Sequence, residues 1–522
     1  MRDQFFGKPF WIGLGIIILT FCFSIVGYLF GLSWLLLAVA ALAVIIASSL
    51  SPVWGLGGVF LELFSNPHGH LLFAEGLPIV FSLRMAVLVG FFVGYLIFLF
   101  RTRMRLSLWK PAVYFLLPLC AAIGIGLLNG FFSQSVLTAF KDGNAYLYLL
   151  YGIPILAHSW SASERRWMLN LFAAGLVWNI IVTLVLLYVF SHFDVQLLRN
   201  AYVFIRDIRL AEITKFDSGF YRVFSQTQFF SITGGLLFLT LAGASNWHGK
   251  DRWVLGAVLG GTLAITLLSL SRSFWVGLVV AILWLFIRAL YKKTPASVWR
   301  ASATLGAFSV LFSIVWISIA VFFPFPSQHI GLGDVFDAVS HRTKEDVAIS
   351  SRWKLIGPMT EAIYQHPLIG HGFGSVVSFI SDDPRVREIH PDGSWSTGSM
   401  EWGWLELWLK MGLMGPLGFL WLIGNLFRGF FHQTHLASSW IGDGFMAGLL
   451  FLTTTHLLSP YLNHPIGLGY LLLAFVFLDR SAVVFQKMTV PAHPDIRKEK
   501  LSMSSALSLQ AEPPEVQEPH RL

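Results

Sequence analysis

Charge is scarce in this chain: only 12% of its 522 residues are Asp, Glu, Lys or Arg, against 55% hydrophobic and 15% aromatic. A water-soluble domain could not cover so much apolar surface with so few polar groups, which excludes a soluble fold and indicates a polytopic membrane protein. Cysteine is nearly absent. Cys22 and Cys120 both lie inside apolar stretches, which suggests neither a disulfide framework nor a thiolate metal site. A cleavage signal is missing as well. The first apolar stretch, Phe10 to Leu29, exceeds a signal h-region and has no Ala-x-Ala site after it, so it reads as a retained span with Met1 as the mature N-terminus. The formal charge of +8 raises nucleic acid as a partner, but the basic residues are scattered among the links between apolar windows, and no nucleic acid is expected.

What is there is a long series of apolar windows. Segments of about 20 residues fall near 10–30, 32–50, 52–64, 78–100, 111–131, 145–160, 167–191, 223–242, 253–270, 274–290, 302–324, 403–427, 440–460 and 466–480. The fold class expected is therefore all-α, a transmembrane helix bundle of about 12–14 spans over 1–488, followed by a disordered cytoplasmic tail over 489–522. With a cytoplasmic N-terminus, the inside links carry most Lys and Arg, and the short outside links keep only Lys141 and Arg272, as the positive-inside rule requires. Both termini are then inside, and two long outside segments, 192–222 and 325–402, become the places to look for chemistry.

The first of these segments has Leu198, Tyr202, Ile205 and Ile208 at helical spacing and Arg199, Arg206 and Arg209 on another face, the pattern of a helix lying in the membrane interface. Those cations either attract an anionic lipid or glycolipid or only anchor the loop. In the second, Ser350-Ser351-Arg352-Trp353 can cap a helix carrying Leu355, Ile356, Met359, Ala362 and Ile363. His366-Pro367-Leu368-Ile369-Gly370-His371-Gly372-Phe373-Gly374 then forms a tight loop whose Gly-x-Gly pattern is by itself weak evidence for phosphate binding. Asp382-Asp383 is an acidic pair of the kind that holds a metal or simply faces solvent, and Gly90 and Gly94 make a small-residue pair that suits a close helix contact beside Arg84. His456 and His464, near Pro460 and Pro465, receive no role.

Arg272 is the most informative residue, in Ser271-Arg272-Ser273-Phe274-Trp275 between two apolar stretches. A guanidinium cannot shed its charge, so at a membrane surface it serves an anion, a carboxylate or lipid headgroups.

Three stretches make the sequence resemble the O-antigen ligase and O-antigen polymerase family of bacterial envelope glycosyltransferases. They are Ser271-Arg272-Ser273-Phe274-Trp275-Val276-Gly277, Arg352-Trp353 with Pro367 to Gly374, and Trp404-Leu405-Glu406-Leu407-Trp408 with Gly412-Leu413-Met414-Gly415; Tyr221-Arg222-Val223-Phe224-Ser225 is a weaker fourth. The resemblance covers about 220–425. It implies a type C-like glycosyltransferase fold with a large helical periplasmic loop and a bacterial inner-membrane location. It also implies an undecaprenyl diphosphate-linked glycan donor, a lipid or glycan acceptor, and a periplasmic site without metal or cofactor. Its two outside arginines, which hold the donor diphosphate, map to Arg222 and Arg272. Many ligases have a histidine about eleven residues before the glycine matching Gly412. Here that position is Glu401, so Glu401 or His390 is expected near the acceptor hydroxyl as general base. Arg352, His371, Arg206 and Arg209 are the expected substrate contacts.

Such chemistry suits these residues. Negative charge grows on the leaving diphosphate, and a planar guanidinium binds two phosphate oxygens at once while staying charged. The rival readings are a lipid-linked oligosaccharide flippase or other secondary transporter, and a structural membrane protein. The sequence shows no internal repeat, and Arg222, Arg272, Arg352 and Glu401 gather at one face instead of the midplane.

Overall fold

The computed structural model describes residues 5–75, 80–216, 219–244, 250–324, 333, 347–382, 384–433 and 439–480. The tail over 489–522, Asp383 and most of 325–346 lie outside the described residues.

The chain is mostly helical. It opens with α1 (Lys8–Phe30), α2 (Ser33–Leu50) and α3 (Pro52–Ser65), then a minimal hairpin of β1 (Phe73–Ala74) and β2 (Phe81–Ser82) leads into α4 (Leu83–Thr102), α5 (Lys110–Ser133) and α6 (Val136–Gly143). A 3-10 turn, Asn144–Tyr151, joins α6 to α7 (Gly152–Ala157), and α8 (Ala162–His192) and the amphipathic α9 (Val195–Asp207) follow. The second hairpin, β3 (Glu212–Lys215) with β4 (Tyr221–Phe224), precedes α10 (Gln228–Ala244), α11 (Lys250–Leu268), α12 (Arg272–Tyr291) and α13 (Ala296–Phe322). The last third holds α14 (Val347–Gln365), β5 (Val377–Ile380), α15 (Pro384–Ile389), β6 (Ser394–Thr397), α16 (Gly403–Met411), α17 (Met414–Gln433), α18 (Ser439–Leu458) and α19 (Pro465–Phe477).

Nine helices among the described residues are long and apolar enough to cross a membrane. Most of the apolar windows have a helix, with two differences. The window 145–160 is a 3-10 turn plus the six-residue α7, and 403–427 is broken at Gly412, whose φ of +65° no continuing helix adopts. The long segment 325–402 also carries the β5–β6 hairpin, with Val377 opposite Thr397.

Three apolar helices are short: α3, α10 and α19. At 1.5 Å per residue they measure about 20–25 Å, less than the roughly 30 Å of a hydrocarbon core. They are also the buried ones, every residue of α19 being shielded. A helix wrapped by protein can end early, because irregular backbone is tolerated at depth when it is covered by protein or lines a cavity. The loop after α3 and the segments before α10 and α19 contribute His68, Arg222 and His464 to one cavity.

Polar groups hold these short helices. Asn179 of α8 donates to the Phe64 carbonyl at 3.0 Å and accepts from Thr227 at 2.5 Å, and buried Glu62 takes Arg84 at 3.0 Å. Gly90 and Gly94 make the close contact expected of them: a Cβ there would sit 2.8 Å from the Ala41 carbonyl oxygen and 2.4 Å from that of Ile45.

Candidate functional site

A cavity of about 590 Å³ is lined by Arg222, Arg272, Arg352 and Glu401 together. Three elements deliver the arginines, and the link between β6 and α16 delivers Glu401. Arg222 lies on β4, where it pairs in register with Thr214, whereas a position at the head of a span was expected. Its Nε donates to the Ser269 carbonyl at 2.7 Å, its Nη1 stands 4.0 Å from the exposed carboxylate of Glu212, and the guanidinium lies 4.9 Å from the centre of the Phe224 ring. Arg272 is the first residue of α12 and lines the same cavity.

The turn that presents Arg272 is constrained. Leu270 is buried with φ +46°, a left-handed conformation that costs a branched residue free energy and persists because its surroundings fix it. Ser269 Oγ accepts from the Ser271 N–H at 3.2 Å, Ser271 and Ser273 hydroxyls are 3.0 Å apart, and Ser459 Oγ donates to Ser273 Oγ at 3.2 Å. This serine network ties the start of α12 to the end of α18.

Arg352, on α14, forms an ion pair with Glu401, and both side chains are more than 40% exposed. Below them the wall is different. Lys410 and Glu406 of α16 are almost fully buried, and Lys410 Nζ donates to Glu406 Oε1 at 2.6 Å, Asp142 Oδ1 at 2.7 Å and the Gly398 carbonyl at 2.9 Å. Also in the lining, the His68 and His464 rings meet edge to face at 5.2 Å. Burial, reinforced by the Arg84 and Arg209 cations, pushes the His68 imidazole down to about 3.

A second chamber of about 360 Å³ shares His68, Glu212, Phe224 and Gln226 with the first and is lined by Arg206 and Arg209. Arg206 pairs with neighbouring Asp207 at 2.9 Å. The helix α9 carrying Arg206 buries Leu198 and Ile205, with Ile208 just after it.

Two expected contacts stand apart from the cavity lining. His390 follows α15, between the strands β5 and β6, exposed, 6.2 Å from the Trp395 ring. His371 has its Nε2 2.8 Å from the Ala362 carbonyl. The glycine loop around it is spent on packing: the N–H groups of His371, Gly372 and Phe373 donate to the carbonyls of Leu409, Lys410 and Gly126 at 2.7, 3.1 and 3.0 Å, and that of Gly374 to Asp142 Oδ2 at 2.7 Å. A Cβ on Gly372, φ +85°, would lie 2.3 Å from the Gly130 nitrogen.

Asp142, Lys410, His68 and Asn463 line the cavity without having been singled out by sequence, as do Glu406, quoted only within the Trp404–Trp408 stretch, and His464, given no role. For Glu406 and Lys410 a signal existed, an acid and a base four residues apart in a strongly apolar stretch, which reads equally as an exposed helix pair.

Residues 255–420 match the family model described as O-antigen ligase, a stretch that contains Arg272, Arg352, Glu401, Glu406 and Lys410 and stops short of Arg222. No curated protein matches the chain. The match supports the O-antigen ligase and polymerase family, and together with the apolar helices it supports an O-antigen ligase-type membrane glycosyltransferase in a bacterial inner membrane.

Proposed function

We propose that the protein transfers or polymerises glycan from an undecaprenyl diphosphate-linked donor at the periplasmic face, with Arg222 and Arg272 holding the diphosphate. The observation that carries this reading is the convergence of Arg222 and Arg272, 50 positions apart and on a strand and a helix start, on one cavity with Arg352. Two guanidiniums offset about the charge of one diphosphate, and fixed donors act most strongly as charge develops on the leaving group.

The sugar moves from phosphate oxygen to an acceptor hydroxyl, on a lipid or on a glycan. Because such a reaction has oxocarbenium character, the acceptor needs a proton acceptor only late, and position matters more than basicity. Of the four carboxylates that line the cavity, Asp142 is held by Lys410 and the Gly374 N–H and Glu212 lies beside Arg222, which leaves Glu401 and Glu406 for this need. Arg206 and Arg209, in the adjoining chamber, are placed to meet further sugars or phosphates of either substrate.

Purified protein reconstituted with a lipid-linked glycan and an acceptor tests the proposal. Wild type should transfer glycan, and Arg272→Ala should abolish transfer together with binding of undecaprenyl diphosphate; a wild type that binds the lipid diphosphate but transfers nothing to any acceptor rejects it.

A further inference from the structure

The Asp142–Lys410–Glu406 cluster leaves one oxygen over. Lys410 Nζ spends its three protons on Asp142 Oδ1, Glu406 Oε1 and the Gly398 carbonyl. Asp142 Oδ2 takes the Gly374 N–H at 2.7 Å. The neighbouring Tyr146 hydroxyl donates to Asn463 Oδ1 at 3.3 Å. Glu406 is 4% exposed, and its Oε2 is buried with no hydrogen bond of good geometry among the described residues, the Asn463 amide being the polar neighbour on that side. Glu406 lines the same cavity as Arg222 and Arg272.

A buried carboxylate oxygen left without a donor costs free energy that folding alone gives no reason to retain. A ligand hydroxyl entering the cavity would supply the missing donor. The exposed alternative is less suited, because Glu401 is already engaged by Arg352 and is open to water. Lys410 fixes the other oxygen of Glu406 and, with all three protons committed, is not available to grip the diphosphate itself.

We infer that Glu406 Oε2 receives the hydrogen bond of the acceptor hydroxyl and takes its proton during transfer, with Lys410 and Asp142 as positioning residues. In this step the acceptor oxygen forms the bond to the anomeric carbon. The bond from that carbon to the phosphate oxygen breaks, its electron pair stays on the diphosphate held by Arg222 and Arg272, and the acceptor proton passes to Glu406 and then to solvent. The assignment rests on the glycosyl-transfer reading and names the residue that serves its acceptor.

The test is Glu406→Gln in the full-length reconstituted protein, read by turnover at saturating lipid-linked donor, binding of undecaprenyl diphosphate, melting temperature and the pH–rate profile. The amide keeps an oxygen for Lys410. Expected are donor binding within about threefold of wild type and turnover lower by about 100-fold or more. The acid limb of the wild-type profile should also disappear if Glu406 is the base, and should persist if one of the other titratable groups lining the cavity (Asp142, Tyr146, Lys410, Glu212, Glu401, His68 and His464) sets it. A merely structural carboxylate would lower the melting temperature and leave the pH profile of the residual activity unchanged. If the amide variant does not fold, Glu406→Asp preserves the charge but withdraws the oxygen from the cavity: normal donor binding with slow turnover supports the assignment, and wild-type turnover overturns it. Wild-type turnover in a folded Glu406→Gln protein overturns it as well. Loss of transfer in wild type itself would instead sink the glycosyl-transfer reading.

Discussion

Arg222 Nε donates to the carbonyl oxygen of Ser269 at 2.7 Å, three positions before Arg272 on the same turn. One proposed diphosphate-binding arginine is thus anchored to the backbone that carries the other. Lysine at 222 keeps the charge but loses the planar fork and, with it, this tie. Arg222→Lys should lower kcat/KM for transfer by about 100-fold, in the range for removing one preorganised donor. Steady-state kinetics on reconstituted protein measure it, and a lysine variant with wild-type kcat/KM would show that charge alone suffices there.

Glycines separate the packing device from open positions. Gly372 and Gly412 have φ of +85° and +65°, and a Cβ would meet the Gly130 nitrogen at 2.3 Å and the Leu368 carbonyl oxygen at 2.1 Å. Backbone cannot yield as a flexible side chain can, so Gly372→Ala and Gly412→Ala should each cost roughly 3 kcal/mol or more. Gly357, inside α14, has nothing within 4 Å of its Cβ position. Gly357→Ala should be neutral or stabilising by roughly 0.5–1 kcal/mol. Thermal melts of detergent-purified variants check the contrast, and an unchanged melt for Gly372→Ala would contradict it.

His68 makes stability depend on pH. Its folded-state value of about 3 lies below the ordinary histidine value of 6.5 because it is buried, with Arg84, Arg209 and His70 adding repulsion; burial likewise lowers His70 and His464. Above 6.5 neither folded nor unfolded chain protonates His68, and its contribution is constant. Between 6.5 and 3 the unfolded chain binds a proton that the folded chain refuses, so stability falls as pH falls, by about 1.4 kcal/mol per unit at most for this residue. Melting temperature between pH 7 and pH 4.5 should drop less steeply in His68→Gln than in wild type. Parallel curves would assign the acid sensitivity elsewhere.

Much of the bundle was legible because span-length apolar runs leave few alternatives. Arg272 stood out for a related reason, a permanent cation between two such runs. Arg222 was recognisable only through a weak resemblance, since a four-residue strand such as Tyr221–Phe224 has too short an alternation to register beside apolar helix sequence. The cavity floor was hidden for a different reason. Asp142, Lys410 and Glu406 come from two distant stretches, and the positive-φ glycines between 370 and 374 pack in the junction where they meet. Those glycines invited comparison with a phosphate loop, yet their N–H groups are consumed by neighbouring carbonyls and Asp142. His464 was noted beside Pro465 but given no role; in the fold its Nδ1 accepts from the Ile466 N–H at 3.4 Å, capping α19 at the cavity edge.

The central claim is that the paired guanidiniums grip the diphosphate of the donor lipid. The most direct measurement is binding of undecaprenyl diphosphate to the purified protein, compared among wild type, Arg272→Ala and Arg272→Lys, alongside glycan transfer from the lipid-linked donor. The account predicts that both variants lose affinity, alanine more than lysine, and that transfer falls with it. Wild-type affinity and wild-type transfer in Arg272→Ala would contradict it.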